Sequence, residues 1–338
     1  MSAARILTIA RLELTQRLRS VGWYVLLGIF VVLLLGITAL SFLIFSNNDL
    51  PGGGVFSIVV NFVLLLVVLV SPTLSGNAIN GDRDSATLAP IQVTAATTGD
   101  IMLGKLLAAV ATGCAFLLIA VPFLVAGLFG GGVTPGMFFV SLLVLLVEIV
   151  LVAAMGVGLS GLVARPLFSI AATYLVVAAL VVGTLIAFGL GGAAIRTEVT
   201  HYERAWDESG EPICDSWEEY TYEQPRFDYV WGFLAANPFV VMADATPTRF
   251  DDGYPQDLFG QIKYGVRMAQ LPPGEQRWDV CDGGYPSSPT PEEQMRGTVP
   301  SWFVGLGIQL VIAGGLFAGA WSRTRTPARR LPPGTRIA

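Results

Sequence analysis

Charged residues are scarce in this chain. Only 13% of its 338 residues are Asp, Glu, Lys or Arg, where soluble domains carry about 25%, and the mean hydropathy is +0.64. Such a composition fits a protein whose main solvent is lipid and argues against an ordinary soluble enzyme. There is one histidine, His201, which leaves a His-based metal site or Ser-His-Asp chemistry without material. Cysteine is scarce too, with three in all: Cys114 inside an apolar run, and Cys214 and Cys281 in a long polar segment. The charges that exist are segregated. Most acidic residues lie between Gly191 and Pro300, and no charge interrupts Ser20–Asn48 or Leu50–Gly81.

What is abundant is apolar sequence in helix-length pieces. A bilayer core about 30 Å thick needs roughly 20 apolar residues of helix. Six stretches qualify, at approximately 22–45, 55–75, 105–129, 137–160, 167–190 and 302–321. The third and fourth are divided by Gly130-Gly131-Gly132 and Pro135, a turn signal. The first run is too long, and its basic flank too deep, for a cleavable signal peptide, so this span is expected to persist. Basic residues set the orientation. Arg5, Arg11, Arg17 and Arg19 precede span one, Arg83 and Lys105 bracket the second connection, Arg165 lies in the fourth, and Arg323 to Arg336 follow span six. The loops Ser46–Gly54 and Gly130–Gly136 hold no Lys or Arg. Both termini are therefore expected in the cytoplasm of a multi-pass cell-membrane protein.

The resulting fold class is an all-α integral membrane protein. Residues 1–20 form a basic cytoplasmic helix and 21–192 hold spans one to five, with a cytoplasmic loop at 76–104. Residues 193–300 form a folded extracytoplasmic insertion, 301–322 span six, and 323–338 a basic tail. In the first helix Leu7, Ala10, Leu14 and Leu18 make an apolar stripe suited to the membrane interface, and Glu13 and Arg17 are spaced for an i,i+4 pair. In the insertion, Cys214 and Cys281 would share an oxidising compartment, which favours a disulfide over two free thiols. Tyr229–Ala243 is apolar, too short to span, and broken by Asn237-Pro238. It reads as a re-entrant or interfacial helical hairpin, or equally as a core segment of the insertion. Pro-rich Ser287–Pro300 reads as a tether. Asp251-Asp252-Gly253 and Asp282-Gly283-Gly284 read as turns, since the twelve-residue calcium pattern is missing.

The most informative stretch lies between spans two and three, from Gly81 to Lys105. Asp82 and Asp84 end span two with charge. Pro90 can open a short helix, and Thr97, Thr98 and Asp100 offer caps for the helix that becomes span three. Lys105 then falls at the membrane surface. A short helix across the ends of two spans would let a soluble motor move both. Asp82, Asp84, Thr87, Leu88, Thr94, Asp100, Ile101, Gly104 and Lys105 together resemble the coupling region of type-2 ABC transporter permeases. That pattern runs acid-x-acid-x-Gly-Thr-Leu, Thr-Pro, then Glu-Ile-x-x-Gly-Lys. Ala86 replaces its Gly, Ala95 its Pro, and Asp stands for Glu. The resemblance extends to the basic pre-span helix, the six spans and the Asn-Pro break, but not to most of the insertion. It implies a non-catalytic permease subunit of an ATP-driven exporter. Two copies, or two homologues, would pair in the bilayer, and each would dock a separate cytoplasmic ATPase that binds the ATP and magnesium. No cofactor, metal or nucleic acid is expected on this chain.

Other signals are weaker. Gly99–Leu106 imitates a phosphate loop, but Leu106 stands where Ser or Thr is required and Lys105 enters a span. Glu148, the one acidic residue inside a span, could line a translocation path or bond a neighbouring helix. Gly315 and Gly319 suit close helix packing. An ion-coupled transporter would need paired intramembrane charges, and only Glu148 is there. A receptor with an external ligand-binding segment needs no coupling motif. An intramembrane enzyme lacks a nucleophile–base or metal set.

Overall fold

The computed structural model describes residues 1–47, 50–84, 96–281 and 289–324. Six helices are long and apolar enough to cross a membrane: Val21–Ile44, Gly52–Asp84, Thr98–Phe129, Pro135–Leu162, Pro166–Ala194 and Trp302–Thr324. They fall on the six stretches expected, called spans one to six below, and are the make-up of a multi-pass helical membrane protein. A pre-span helix covers Ala3–Leu18. The chain divides into two compact units, one of Met1–Leu180, Ala245–Pro247 and Leu306 onward, the other of Val181–Asp244 and Thr248–Gly305.

In the first unit span two is central. Its apolar window is 72% buried, against 22% for spans one, five and six. Those outer spans leave Val32, Leu35, Leu43, Leu167, Leu175 and Val311 exposed. So many large apolar side chains facing outward would be an aggregation hazard in water but match a lipid solvent. Span one docks on span three through edge-to-face contacts of Trp23 and Phe30 with Phe116. At one end, Gly52 N–H donates to Gly130 O at 3.2 Å. A side chain at Gly52 would stand 2.2 Å from the Gly131 carbonyl oxygen, so only glycine lets these turns meet. Gly131 and Gly132 have φ of 74° and 78°, as their turn requires. Spans four and six approach through Gly158 and Gly161, where an added Cβ would lie 2.8 Å from Leu316 and 2.6 Å from Ala320. The expected Gly315–Gly319 pair does less: Gly319 meets Leu162 at 3.3 Å, and Gly315 has no described neighbour within 4 Å.

The second unit adds a sheet that an all-helical reading does not contain. Strand β1 (Arg196–Trp206) pairs antiparallel with β2 (Pro212–Pro225). The turn between them closes on Asp207, whose carboxylate accepts from the Ser209 and Glu211 amides, with Gly210 at φ 81°. Two-residue strands β3 (Phe250–Asp251) and β4 (Tyr254–Pro255) flank a tight Asp252-Gly253 turn with both φ positive, the geometry of a hairpin turn. The short β5 (Gln276–Trp278) joins β1 in parallel, giving the order β2-β1-β5. The Cys214–Cys281 disulfide is present and closes a separation of 67 residues. Beside it, Arg204 grips Asp279 with two bonds of 2.9 and 2.7 Å and stacks 3.8 Å over Trp217.

The apolar segment around Asn237 is a broken helix, Trp231–Ala235 then Pro238–Ala245. Asn237 is 2% exposed. Its amide donates to Val181 O at 2.8 Å and its carbonyl accepts from Phe239 N–H. Val181 lies in a π-turn, Ala179–Gly183, within span five, so the asparagine engages a carbonyl at the irregularity. Asp244 accepts from the Ser301 hydroxyl at 2.9 Å and the Trp302 amide at 3.0 Å, capping span six from far upstream, and pairs with Arg267 at 2.8 Å. The expected tether before span six is partly helical, Pro291–Met295, with a Thr290–Glu293 capping box. Ser287, the Asp282 turn and the tail beyond Thr324 lie outside the described residues.

Cys281→Ser removes a cross-link worth roughly 4 kcal/mol in the chain-entropy picture, so limited proteolysis should cut within 196–281 at least tenfold faster. The bonds from Arg204 hold the Asp279 carboxyl below its ordinary value. A lowered carboxyl stabilises the fold above the unfolded value near 4 and loses that contribution as pH falls through the lowered one. Hydrogen exchange of β1 and β5, corrected for intrinsic rate, should therefore quicken on acidification below about pH 4. In Asp279→Asn that acid step should be smaller.

Candidate functional site

Span three begins earlier than apolar content alone indicates, because Thr97 and Asp100 form a capping box. Thr97 Oγ1 accepts from the Asp100 amide at 3.2 Å, and Asp100 Oδ2 accepts from the Thr97 amide at 3.0 Å. Such a reciprocal cap satisfies two otherwise orphaned donors, and it moves the helix start to Thr98. Asp100 also accepts from the Ser2 amide at 2.8 Å and from Arg5 Nε at 2.9 Å. One turn later Gly104 leaves room for the pre-span helix: a Cβ there would lie 2.8 Å from Ile9 Cβ and 3.0 Å from Ile6 O. Asp100 thus fixes the pre-span helix by charge and Gly104 admits it by having no side chain.

Lys105, near the start of span three, is enclosed by protein. It is 2% exposed and ion-paired with both Glu13 and Asp82, the latter at 2.7 Å. A buried cation is tolerated only when paired. Two carboxylates from the pre-span helix and the short helix Asn80–Asp84 meet that need. Glu13 is therefore engaged by Lys105, while Arg17 bonds Thr112 at 2.9 Å and Leu74 O at 2.8 Å. The packed face of the pre-span helix is correspondingly Ile6, Ile9, Ala10 and Glu13. Of the apolar stripe read from sequence, Ala10 is buried, but Leu7 and Leu18 are 59% and 53% exposed.

The other arm of the loop rests on spans four and six. The Ile79 and Asn80 amides donate to Ser160 Oγ at 2.9 and 3.1 Å, and the Asn80 side chain donates to Val163 O. Arg83 reaches Gly161 O at 3.4 Å and Thr324 Oγ1 at 3.5 Å. Beneath lies a buried cluster of Ile79, Ile101, Met102, Val157 and Ala320. Asp84 is exposed at the last described residue before the gap. Thr87, Leu88, Pro90 and Thr94 lie outside the described residues. Of the expected coupling residues, the structure thus brings Asp82, Asp100, Gly104 and Lys105 into one junction. Asp100, Gly104 and Lys105 are buried there and shape the junction. The sequence did not point to Arg5, Asn80 or Ser160 as partners; Glu13 does act on Arg17 as its spacing suggests, but its ion pair is with Lys105. The signal was available for Glu13, since a lysine entering an apolar helix demands a counter-ion.

Glu148 is 1% exposed and hydrogen-bonded to Gln309, an interhelical bond from span four to span six. Its Oε1 has no partner among the described residues. Nearby in the same unit Ser141 and Thr246 share a buried bond of 3.2 Å. Among the described residues no three His, Cys, Asp or Glu gather as metal ligands. The phosphate-loop imitation Gly99–Leu106 is continuous helix, which removes the backbone cradle such a loop needs. No protein-family model matches the chain, and no curated protein matches it.

Lys105→Met would leave Glu13 and Asp82 facing each other without their cation. Breaking a buried pair in this way costs on the order of 3 kcal/mol. The thermal unfolding midpoint in detergent should fall accordingly, and adding Glu13→Gln with Asp82→Asn to the Lys105→Met variant should restore much of it. Gly104→Val should separate the pre-span helix from span three, read as faster hydrogen exchange across Ala3–Leu18 with the spans unchanged.

Proposed function

We propose that this chain is the membrane-spanning permease subunit of an ATP-driven ABC exporter, with both termini in the cytoplasm of the cell membrane. It catalyses nothing itself. A separate cytoplasmic ATPase, carrying ATP and Mg²⁺, docks on the segment that contains Thr87, Leu88, Pro90 and Thr94. A second copy or a homologue completes the pathway in the bilayer. The motif resemblance of Asp82–Lys105 supports this reading.

One structural observation carries it furthest. The two described arms of the segment are tied to the pre-span helix through Arg5 and Glu13, to span four through Ser160 and Val163, and to span six through Thr324. A load on residues between the arms is therefore delivered to several helices at once, by ion pairs to the pre-span helix, hydrogen bonds to span four and a long 3.5 Å contact to span six. Nucleotide binding in the ATPase then biases a membrane domain with two arrangements, which requires only that the docked partner bind one arrangement better.

The test is ATP hydrolysis by the chain together with each ABC-type ATPase subunit of its source organism, reconstituted in nanodiscs. Thr87→Arg with Leu88→Arg should lower stimulated hydrolysis at least tenfold while membrane insertion and the Cys214–Cys281 bond persist. Failure of any such ATPase to associate with the correctly inserted chain would overturn the proposal.

A further inference from the structure

The hairpin β1–β2 concentrates the acidity of the whole molecule. Between Arg196 and Pro225 there are nine carboxylates and two arginines, a formal charge of −7, whereas the entire chain has −5. The fold uses little of this charge: Asp207 closes the turn and Glu223 faces Arg196 at 3.6 Å. The register sets Glu198 opposite Glu223 and Glu203 opposite Glu218, and like charges directly opposite each other destabilise a sheet. β2 is also an edge strand. In the order β2-β1-β5 its outer side has no strand partner among the described residues. It runs for 14 residues, is exposed over most of its length, and carries prolines only at its two ends. A long edge without an internal proline or a lysine is a template for strand addition.

We infer that the outer edge of β2 docks an extended, Arg- or Lys-rich polypeptide segment as an added strand. Strand addition takes affinity from main-chain hydrogen bonds and specificity from alternate side chains. Here one face of β2 presents Glu219 and Glu223 with Trp217, and the other presents Glu218 with Tyr220 and Tyr222, all exposed. The hairpin's own chemistry shows that its aromatic faces accept guanidinium: Arg204 stacks 3.8 Å over Trp217, and Arg277 stands 5.2 Å over Tyr202. Charge complementarity selects the occupant. A second copy would bring −7 against −7, and an anionic lipid surface would be repelled. The strand is braced for the purpose by the Cys214–Cys281 bond and the Arg204–Asp279 grip, so little ordering remains to oppose binding.

The experiment uses the full chain in phosphatidylcholine nanodiscs, with empty discs subtracted. The probe is a fluorescent ten-residue peptide of alternating Arg and Thr, read by anisotropy in 20 mM salt. Binding is expected, weakened at least tenfold in 300 mM salt and at least tenfold in a Glu218→Gln, Glu219→Gln, Glu223→Gln variant that retains its disulfide by mass. The same peptide with alternate backbone nitrogens methylated should bind at least tenfold more weakly to the unaltered chain. Absence of binding, equal binding of a Glu-Thr peptide, or self-association of the chain through this edge would overturn the inference. Unchanged binding of the methylated peptide would reduce it to charge adhesion and overturn strand addition. The salt and methylation arms use the unaltered protein, so they decide even if the triple variant misfolds.

Discussion

A lysine buried at the entrance of a membrane-spanning helix needs counter-charge within a few ångströms, and that requirement organises one end of this protein. Lys105 is met by Glu13 from the pre-span helix and Asp82 from Asn80–Asp84, the short helix that ends span two. Neither carboxylate can be supplied without bringing its element to span three. The pre-span helix therefore lies where Gly104 lets it, and is pinned a second time by Arg5 on Asp100. The Asn80–Asp84 helix is held in turn by Ser160 and Val163. One buried charge thus draws the pre-span helix, the end of span two and span three into a single junction.

The same accounting explains polar groups elsewhere in the apolar helices. Asn237 engages a carbonyl at the π-turn of span five, Asp244 caps span six, and Glu148 bonds Gln309. Each gives a polar group a partner that lipid cannot, although Glu148 Oε1 has none among the described residues. The polar unit follows different rules. It relies on a disulfide, a bidentate Arg204–Asp279 pair and a short sheet, the devices of a small domain with a limited core.

The spans were legible because bilayer thickness imposes a length on uncharged runs, and no tertiary information is required to see Val21–Ile44 or Pro135–Leu162. The cap at Thr97 and the glycine turn at 130–132 were legible for a similar reason, since both are local. The partners of Lys105 were not, because Glu13 lies 92 residues away and the nearer Arg17 offered a plausible local pair. The β1–β2 hairpin was missed although local signals existed: Thr197, Val199, Thr200 and Tyr202 on one side, Tyr220, Thr221 and Tyr222 on the other, and Ser209-Gly210 between them. Strand-forming residues bounded by a turn are a usable pattern, but the density of glutamates masked it, since such charge ordinarily marks a solvated loop. The close approach of spans four and six through Gly158 and Gly161, in place of Gly315, shows the limit of a spacing rule: it finds small residues without telling which helix face meets a neighbour.

The most direct measurement of the central claim, that the segment between Asp82 and Lys105 receives a soluble ATPase, is photo-crosslinking from position 88 in native membranes. A photoreactive residue replaces Leu88, and one at Leu190 on span five serves as control. The account predicts a crosslink from position 88, and not from 190, to a cytoplasmic nucleotide-binding protein, with a yield that changes when ATP is added. Crosslinks from position 88 only to lipid or to extracytoplasmic proteins would contradict it.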